Sequence, residues 1–249
     1  MKLVLETIAV AFSMFSAVPV PKVAWKDQNM RFMLVAFPLV GVLCGILEAL
    51  CLFLAHRFGL PPIMTAALAA ALPLIVTGGI HLDGYVDVSD ALSSWGNAEK
   101  KREILADPHI GAFAVIRLAV YLILYMGFAS GLTPAPGEML LLALSFVLSR
   151  SLSALAVSIL PLSKESGLAH TFQSTADQRK CTFFLGGWIL AVCLGMVPGG
   201  YALGGIRCLI AAVLMIGCAG GQWIHLRRIA SKQFGGLSGD LNGWYLQKA

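Results

Sequence analysis

The chain has 249 residues, 58% of them hydrophobic and only 12% charged, with a formal net charge of +5, and its mean hydropathy is +0.80. Soluble domains carry about 25% charged residues, so this composition excludes a water-soluble globular protein and defines an all-α, polytopic membrane bundle forming one domain over residues 1–249. The basic residues are scattered between apolar runs, which excludes nucleic acid as a partner and makes membrane lipid the surrounding medium.

The first apolar run, Leu3 to Val20, is interrupted by Glu6 and closed by Pro19-Val20-Pro21. It lacks the small-residue cleavage site of a secretory signal, and its length allows either a span or a helix lying in the interface. Phe32 to Ala55, which holds Glu48, and Ile63 to Ile80, with Pro73, are spans. Ala112 to Leu132, Met139 to Leu160, Phe183 to Tyr201 and Gly204 to Ile224 follow, giving seven spans, or six if the first lies on the surface. The six Cys fall in or beside these runs without a CxxC, and read as small hydrophobes rather than disulfides or zinc ligands. No internal repeat suggests an inverted-repeat transporter. The connections 21–31, 81–111 and 161–182 and the tail after 224 hold 13 of the 18 basic residues, so the positive-inside rule assigns them to the cytoplasm.

The third span leads straight into Thr77-Gly78-Gly79-Ile80-His81-Leu82-Asp83-Gly84-Tyr85-Val86-Asp87-Val88-Ser89-Asp90. If this stretch is helical, Asp83, Asp87 and Asp90 share a narrow arc and span roughly 10 Å of axis. Like charges so spaced repel, and hard cations such as Mg²⁺ take carboxylate oxygens that they share with substrate phosphates. The competing reading is a solvated acidic face. His81 is either a hydrogen-bonded structural residue or a general base. Gly78 and Gly79 would let backbone approach a phosphate, although glycine is common in spans.

The connection 81–111 carries six of the chain's 13 acids, and long loops in compact proteins are usually functional. Asn97 to Leu105 reads as a short amphipathic helix whose Lys100, Lys101 and Arg102 either reinforce orientation or contact phosphate. In the turn Asp107-Pro108-His109-Ile110-Gly111, Asp107 is either a cap or a neighbour of the metal site. Arg150, mid-span, should pair with an acid such as Glu48, face a polar cavity, or meet a substrate phosphate. Near the end, Gly235-Gly236-Leu237-Ser238-Gly239-Asp240 forms either an N–H-lined phosphate concavity or a flexible loop, with Asp240 a candidate fourth metal ligand.

The Thr77–Asp90 motif resembles the signature of the cobalamin synthase family, the adenosylcobinamide-GDP ribazoletransferases. The resemblance continues through Arg102-Glu103-Ile104-Leu105, Asp107 to Phe113, Ser149-Arg150, Pro161, Gly167 and Phe172 to Phe234–Asp240. Where His109 stands many relatives carry Arg, and members usually run past Gly239-Asp240 into a further apolar helix, so this chain is expected either to be a short member or to lack a final span. The resemblance implies Mg²⁺-dependent phosphoryl transfer at the cytoplasmic face of a prokaryotic inner membrane. There α-ribazole, or its 5′-phosphate, attacks adenosylcobinamide-GDP, GMP leaves, and adenosylcobalamin or its phosphate forms. It implies catalytic roles for His81, Asp83, Asp87 and Asp90. It further implies metal ligation by Asp83, Asp87, Asp90 and Asp240, and phosphate contacts from Gly78, Gly79, Asp107, His109, Arg150, Gly235, Gly236, Ser238 and Gly239. A homo-oligomer or association with other cobalamin-assembly enzymes fits the same reading. Two alternatives are a CDP-alcohol phosphotransferase, whose signature needs Ala-Arg where Val86-Asp87 stands, and a transporter, which would place its acids within the spans.

Overall fold

The computed structural model describes residues 1–249, whose regular elements are all helices apart from an isolated bridge between Leu162 and Leu237. Helix α1, Lys2–Phe15, has 14 residues and is about 21 Å long, short of the roughly 30 Å hydrocarbon core, so the first apolar run does not form a spanning helix. A single turn, α2 (Asp27–Met30), leads into α3 (Met33–Arg57), and α4 (Pro62–Thr77) returns. At Gly78 and Gly79 the chain bends by 100° into α5 (Ile80–Ser93). Both glycines have positive φ, 66° and 78°, a region costly for any residue with a Cβ. The third apolar run therefore ends at Thr77, and α5 runs across the end of the bundle.

Asn97 caps α6 (Ala98–Ile104) by accepting the Lys100 N–H at 3.0 Å, as its position before a charged amphipathic stretch suggests. Then α7 (Ala112–Ala129) descends and α8 (Pro136–Ile159) rises through the middle of the bundle. Helix α3 meets α8 almost backbone to backbone. A Cβ on Gly41 or Gly45 would lie 2.5 Å from the carbonyl oxygens of Phe146 or Ala143, which is the small-xxx-small contact of membrane helices. Beyond α9 (Leu168–Thr175) and α10 (Gln178–Leu194), a π-helical turn at Gly195–Gly199 leads into α11 (Gly200–Ile229).

Four helical stretches are long and apolar enough to cross a membrane, or five if the bent pair α4–α5 counts as one; among them is Gln178–Phe234, of 57 residues. That stretch is about 85 Å along its path, far more than one bilayer, and it doubles back. Gly205, at φ 64° and ψ −155°, breaks it. Gly195 lies against Leu144, Gly204 sits beside Gly137 at the far end, and Trp223 donates to the Leu152 carbonyl at 3.1 Å. Both limbs thus line α8. Large apolar side chains such as Ile123, Phe128, Phe183, Ile206 and Leu214 face outward, as expected where lipid is the solvent.

A second π-turn at Ala230–Phe234 and the loop 235–238 lead to α12 (Gly239–Lys248). This helix is buried on one side by Leu241, Trp244 and Tyr245, and it lies along α5 through glycine on both partners. A Cβ on Gly84 would come 2.7 Å from the Asp240 carbonyl oxygen, and one on Gly243 would come 3.1 Å from that of His81. The α5–α12 pair is the platform of the site.

Candidate active site at the α5–α12 crossing

Asp83, Asp87 and Asp90 share α5, and the Gly84 contact brings α12 close enough that Asp240 joins them electrostatically. Burial, then the charges of Asp83, Asp240 and Asp90, push the Asp87 carboxyl up to about 6. Asp240 is also raised, first by burial and then by Asp83, against the lowering effects of Lys164 and the Ser238 hydroxyl. None of the four carboxylates is held in an ion pair. Asp90 leans toward the start of α7, where a Cβ on Gly111 would collide with both of its oxygens.

These carboxylates fit a hard divalent cation by donor type and by their unspent charge. No three of them converge on one point.

Two clefts meet at Asp240. One, of about 280 Å³, is polar and basic, with Arg102, Lys164, His170, Ser163 and Ser166 in its wall. The other, of about 180 Å³, is apolar, with Phe15, Phe37 and Phe172 beside His81 and Asp83. Leu168, Ala169, Gly239 and Asp240 line both. His81 is 7% exposed, with ring centroids 5.8 Å from Phe37 and 6.5 Å from Phe15. Burial, reinforced by Arg150, lowers its pKa to about 3, so its imidazole is neutral and its Nε2 has no partner.

The remaining residues singled out from the sequence are placed as follows. Gly78 and Gly79 make the α4–α5 bend, and their N–H groups donate to Ile75 and Leu74. Gly236 donates to the Ala230 carbonyl at 2.8 Å, and Leu237 and Ser163 exchange backbone hydrogen bonds with the facing strands of loop. A Cβ on Gly236 would fall 2.4 Å from the backbone at Leu162 and Ser163. These glycines hold the two loops together, and Arg102 donates to the Phe234 carbonyl just before Gly235 at 3.1 Å. Ser238 caps α12, accepting from Leu241 N–H at 3.1 Å, while Gly239 stays open. Asp107 accepts from the His109 backbone N–H at 2.9 Å and pairs with its Nδ1 at 2.7 Å, a turn exposed to solvent and outside both clefts.

Arg150 and Glu48 do not pair. Arg150 bonds Ser149 Oγ at 3.0 Å and lies 5.2 Å from the Phe146 ring centroid. Its Nε and both Glu48 carboxyl oxygens have no partner. Both side chains line a cavity of about 330 Å³ deeper in the bundle, together with Tyr121, Tyr125 and Gln247. Sequence reading overlooked Lys164, His170, Phe15, Phe37 and Asn242, which come from four separate segments. The polar run Ser163–Gly167 was the one available signal for the basic wall.

An all-helical membrane protein with a row of carboxylates beside a basic cleft at one end is the class that fold and site define. The chain belongs to the cobalamin-5-phosphate synthase family, whose model matches residues 7–249. It is 38% identical to the adenosylcobinamide-GDP ribazoletransferase of Lachnoclostridium phytofermentans, over 97% of this chain and 89% of that protein. It is 33% identical to the enzyme of the same name from Clostridium perfringens strain SM101, over 99% and 94%. With that from Geobacillus kaustophilus it shares 32%, over 94% and 87%. No solved structure matches the chain. Family membership favours cobalamin assembly over the CDP-alcohol phosphotransferase and transporter alternatives.

Proposed function

We propose that this chain joins adenosylcobinamide-GDP to α-ribazole or its 5′-phosphate, releasing GMP, at the cytoplasmic face of a prokaryotic inner membrane. The observation that carries the reading is the approach of Asp240 to the Asp83–Asp87–Asp90 row at the Gly84 crossing, at the junction of a basic and an apolar cleft. Phosphoryl transfer asks a protein for positioning and charge neutralisation more than for a nucleophile, and this chain presents carboxylates and cations rather than an activated Ser or Cys.

Arg102 and Lys164 line the lobe that would bind the pyrophosphate. Asp83, Asp87, Asp90 and Asp240 would hold Mg²⁺, which supplies neutralisation of phosphate charge when bound. The ribose hydroxyl oxygen attacks the phosphorus on the cobinamide side. The bond from that phosphorus to the bridging oxygen breaks, and GMP leaves with the oxygen. The hydroxyl proton passes to a carboxylate of the row that the cation leaves free. His81, whose burial among apolar walls lowers its pKa to about 3, is too weak a base to suit that role. Clustering of basic residues at the site end supports a cytoplasmic orientation.

The test is turnover in detergent or vesicles with adenosylcobinamide-GDP, α-ribazole and Mg²⁺. GMP and a joined corrinoid should appear together, and EDTA should stop both. GMP release without a joined product would reject the reading.

A further inference from the structure

We infer that the apolar lobe is the pocket for the flat heteroaromatic base of the acceptor nucleoside, with Phe172 and Asn242 determining its specificity. The inference rests on the reading of the site given above and deepens it.

The lobe is small and aromatic, about 180 Å³. Phe15 packs at 4.2 Å between ring centroids against Phe37 and edge-on at 5.8 Å against Phe172, leaving a wall on which a planar ring can stack. Two polar atoms in its lining are buried without a partner, His81 Nε2 and Asn242 Oδ1. Leaving such atoms unsatisfied costs free energy, and a lipid chain would leave them so. A heterocycle with a free ring nitrogen accepts from His81 when Nε2 carries the proton, and the Asn242 side-chain amide, flipped so that its N–H₂ faces the lobe, donates to the same edge.

Position supports the same occupant. His81 and Asp83 from α5, and Asp240 and Asn242 from α12, line this one lobe. A base held by His81 and Asn242 therefore leaves its ribose near Asp83 and Asp240. The pyrophosphate then falls to the basic lobe beyond Asp240. The guanine of the leaving nucleotide is the rival occupant, but its edge carries more hydrogen-bonding groups than two wall atoms can meet. A corrin macrocycle is too large for the volume.

The experiment uses the full chain in detergent, with α-ribazole binding followed by calorimetry and steady-state rates measured against each substrate in turn. Asn242→Ala removes an atom with no intramolecular partner, and so separates binding from folding. Phe172→Ala removes the stacking wall. Each should weaken α-ribazole binding, and raise its KM, by about tenfold or more. KM for adenosylcobinamide-GDP should stay within about twofold. A shift confined to adenosylcobinamide-GDP would place guanine in the lobe and overturn the inference, as would no shift in either variant. If wild type binds α-ribazole but makes no joined product, the proposed reaction fails while the pocket stands. If wild type binds no nucleoside, the pocket itself fails.

Discussion

Asp240 joins Asp83, Asp87 and Asp90 because two backbones touch. Asp83 and Asp240 are 157 residues apart in the chain, and Asp240 stands beside the row only because Gly84 admits its backbone. Residues that work as one unit lose activity non-additively. Asp83→Ala and Asp240→Ala should each be severe, and the double variant scarcely worse than the worse single. Multiplicative losses in kcat would separate the two helices functionally. Gly84→Ala touches no charge, yet its methyl would meet backbone at 2.7 Å and must lift α12. The expected result is a loss of about 1–3 kcal/mol of stability, with a larger loss of activity than melting temperature alone explains. Glu48 behaves differently. It is 1% exposed with neither oxygen bonded, so Glu48→Gln removes no ion pair and should leave Tm unchanged or higher. A fall of more than about 4 °C, roughly 1 kcal/mol or more, would reveal a partner for it. The Asp row was legible in sequence because its spacing matches a helix face. The aromatic lobe was not, since Phe15, Phe37 and Phe172 sit in separate segments and each looks like ordinary core.

At the scale of elements, glycine sets the geometry. Gly41-x-x-x-Gly45 brings α3 against α8, and Gly205 folds the 57-residue stretch back on itself. Its φ and ψ belong to a region essentially restricted to glycine. Gly205→Ala should therefore cost about 1–3 kcal/mol, read as a lowered Tm in detergent, while Gly217→Ala, with nothing within 4 Å of its added Cβ, should be neutral. Hydropathy alone located this turn to within a few residues, by splitting Phe183–Tyr201 from Gly204–Ile224. It could not show that Ile63–Ile80 stops at Thr77. Apolar composition continues through Val76 to Ile80, and only the αL geometry of Gly78 and Gly79 ends the helix. Nor did it show that 239–248 is a helix packed on α5, since that segment has no strong apolar period.

At the scale of the molecule, the site end and the far end are distinct. Connections 16–32, 78–111 and 160–177 and the loop before α12 gather at one, and the turns near Gly59, Gly131 and Gly205 at the other. Single-cysteine reporters at Ser94 and Ser238, in a chain lacking its native cysteines, should label from the same side of sealed vesicles. A reporter at Thr133 should label from the opposite side, and agreement of all three would break the bundle topology. Lys and Arg placement gives an expected orientation, whereas the union of distant loops through Leu162 and Leu237 was not legible, because it rests on backbone hydrogen bonds that leave no side-chain signal in the sequence.

The α5–α12 crossing also orders events during synthesis. The acidic row leaves the ribosome with the first third of the chain, but the helix that covers it is encoded after residue 238. Until then α5 lacks its main neighbour and the four carboxylates cannot assemble. A chain interrupted before α12 would lack Asp240, so on the proposed reading the site is complete only once α12 has been made.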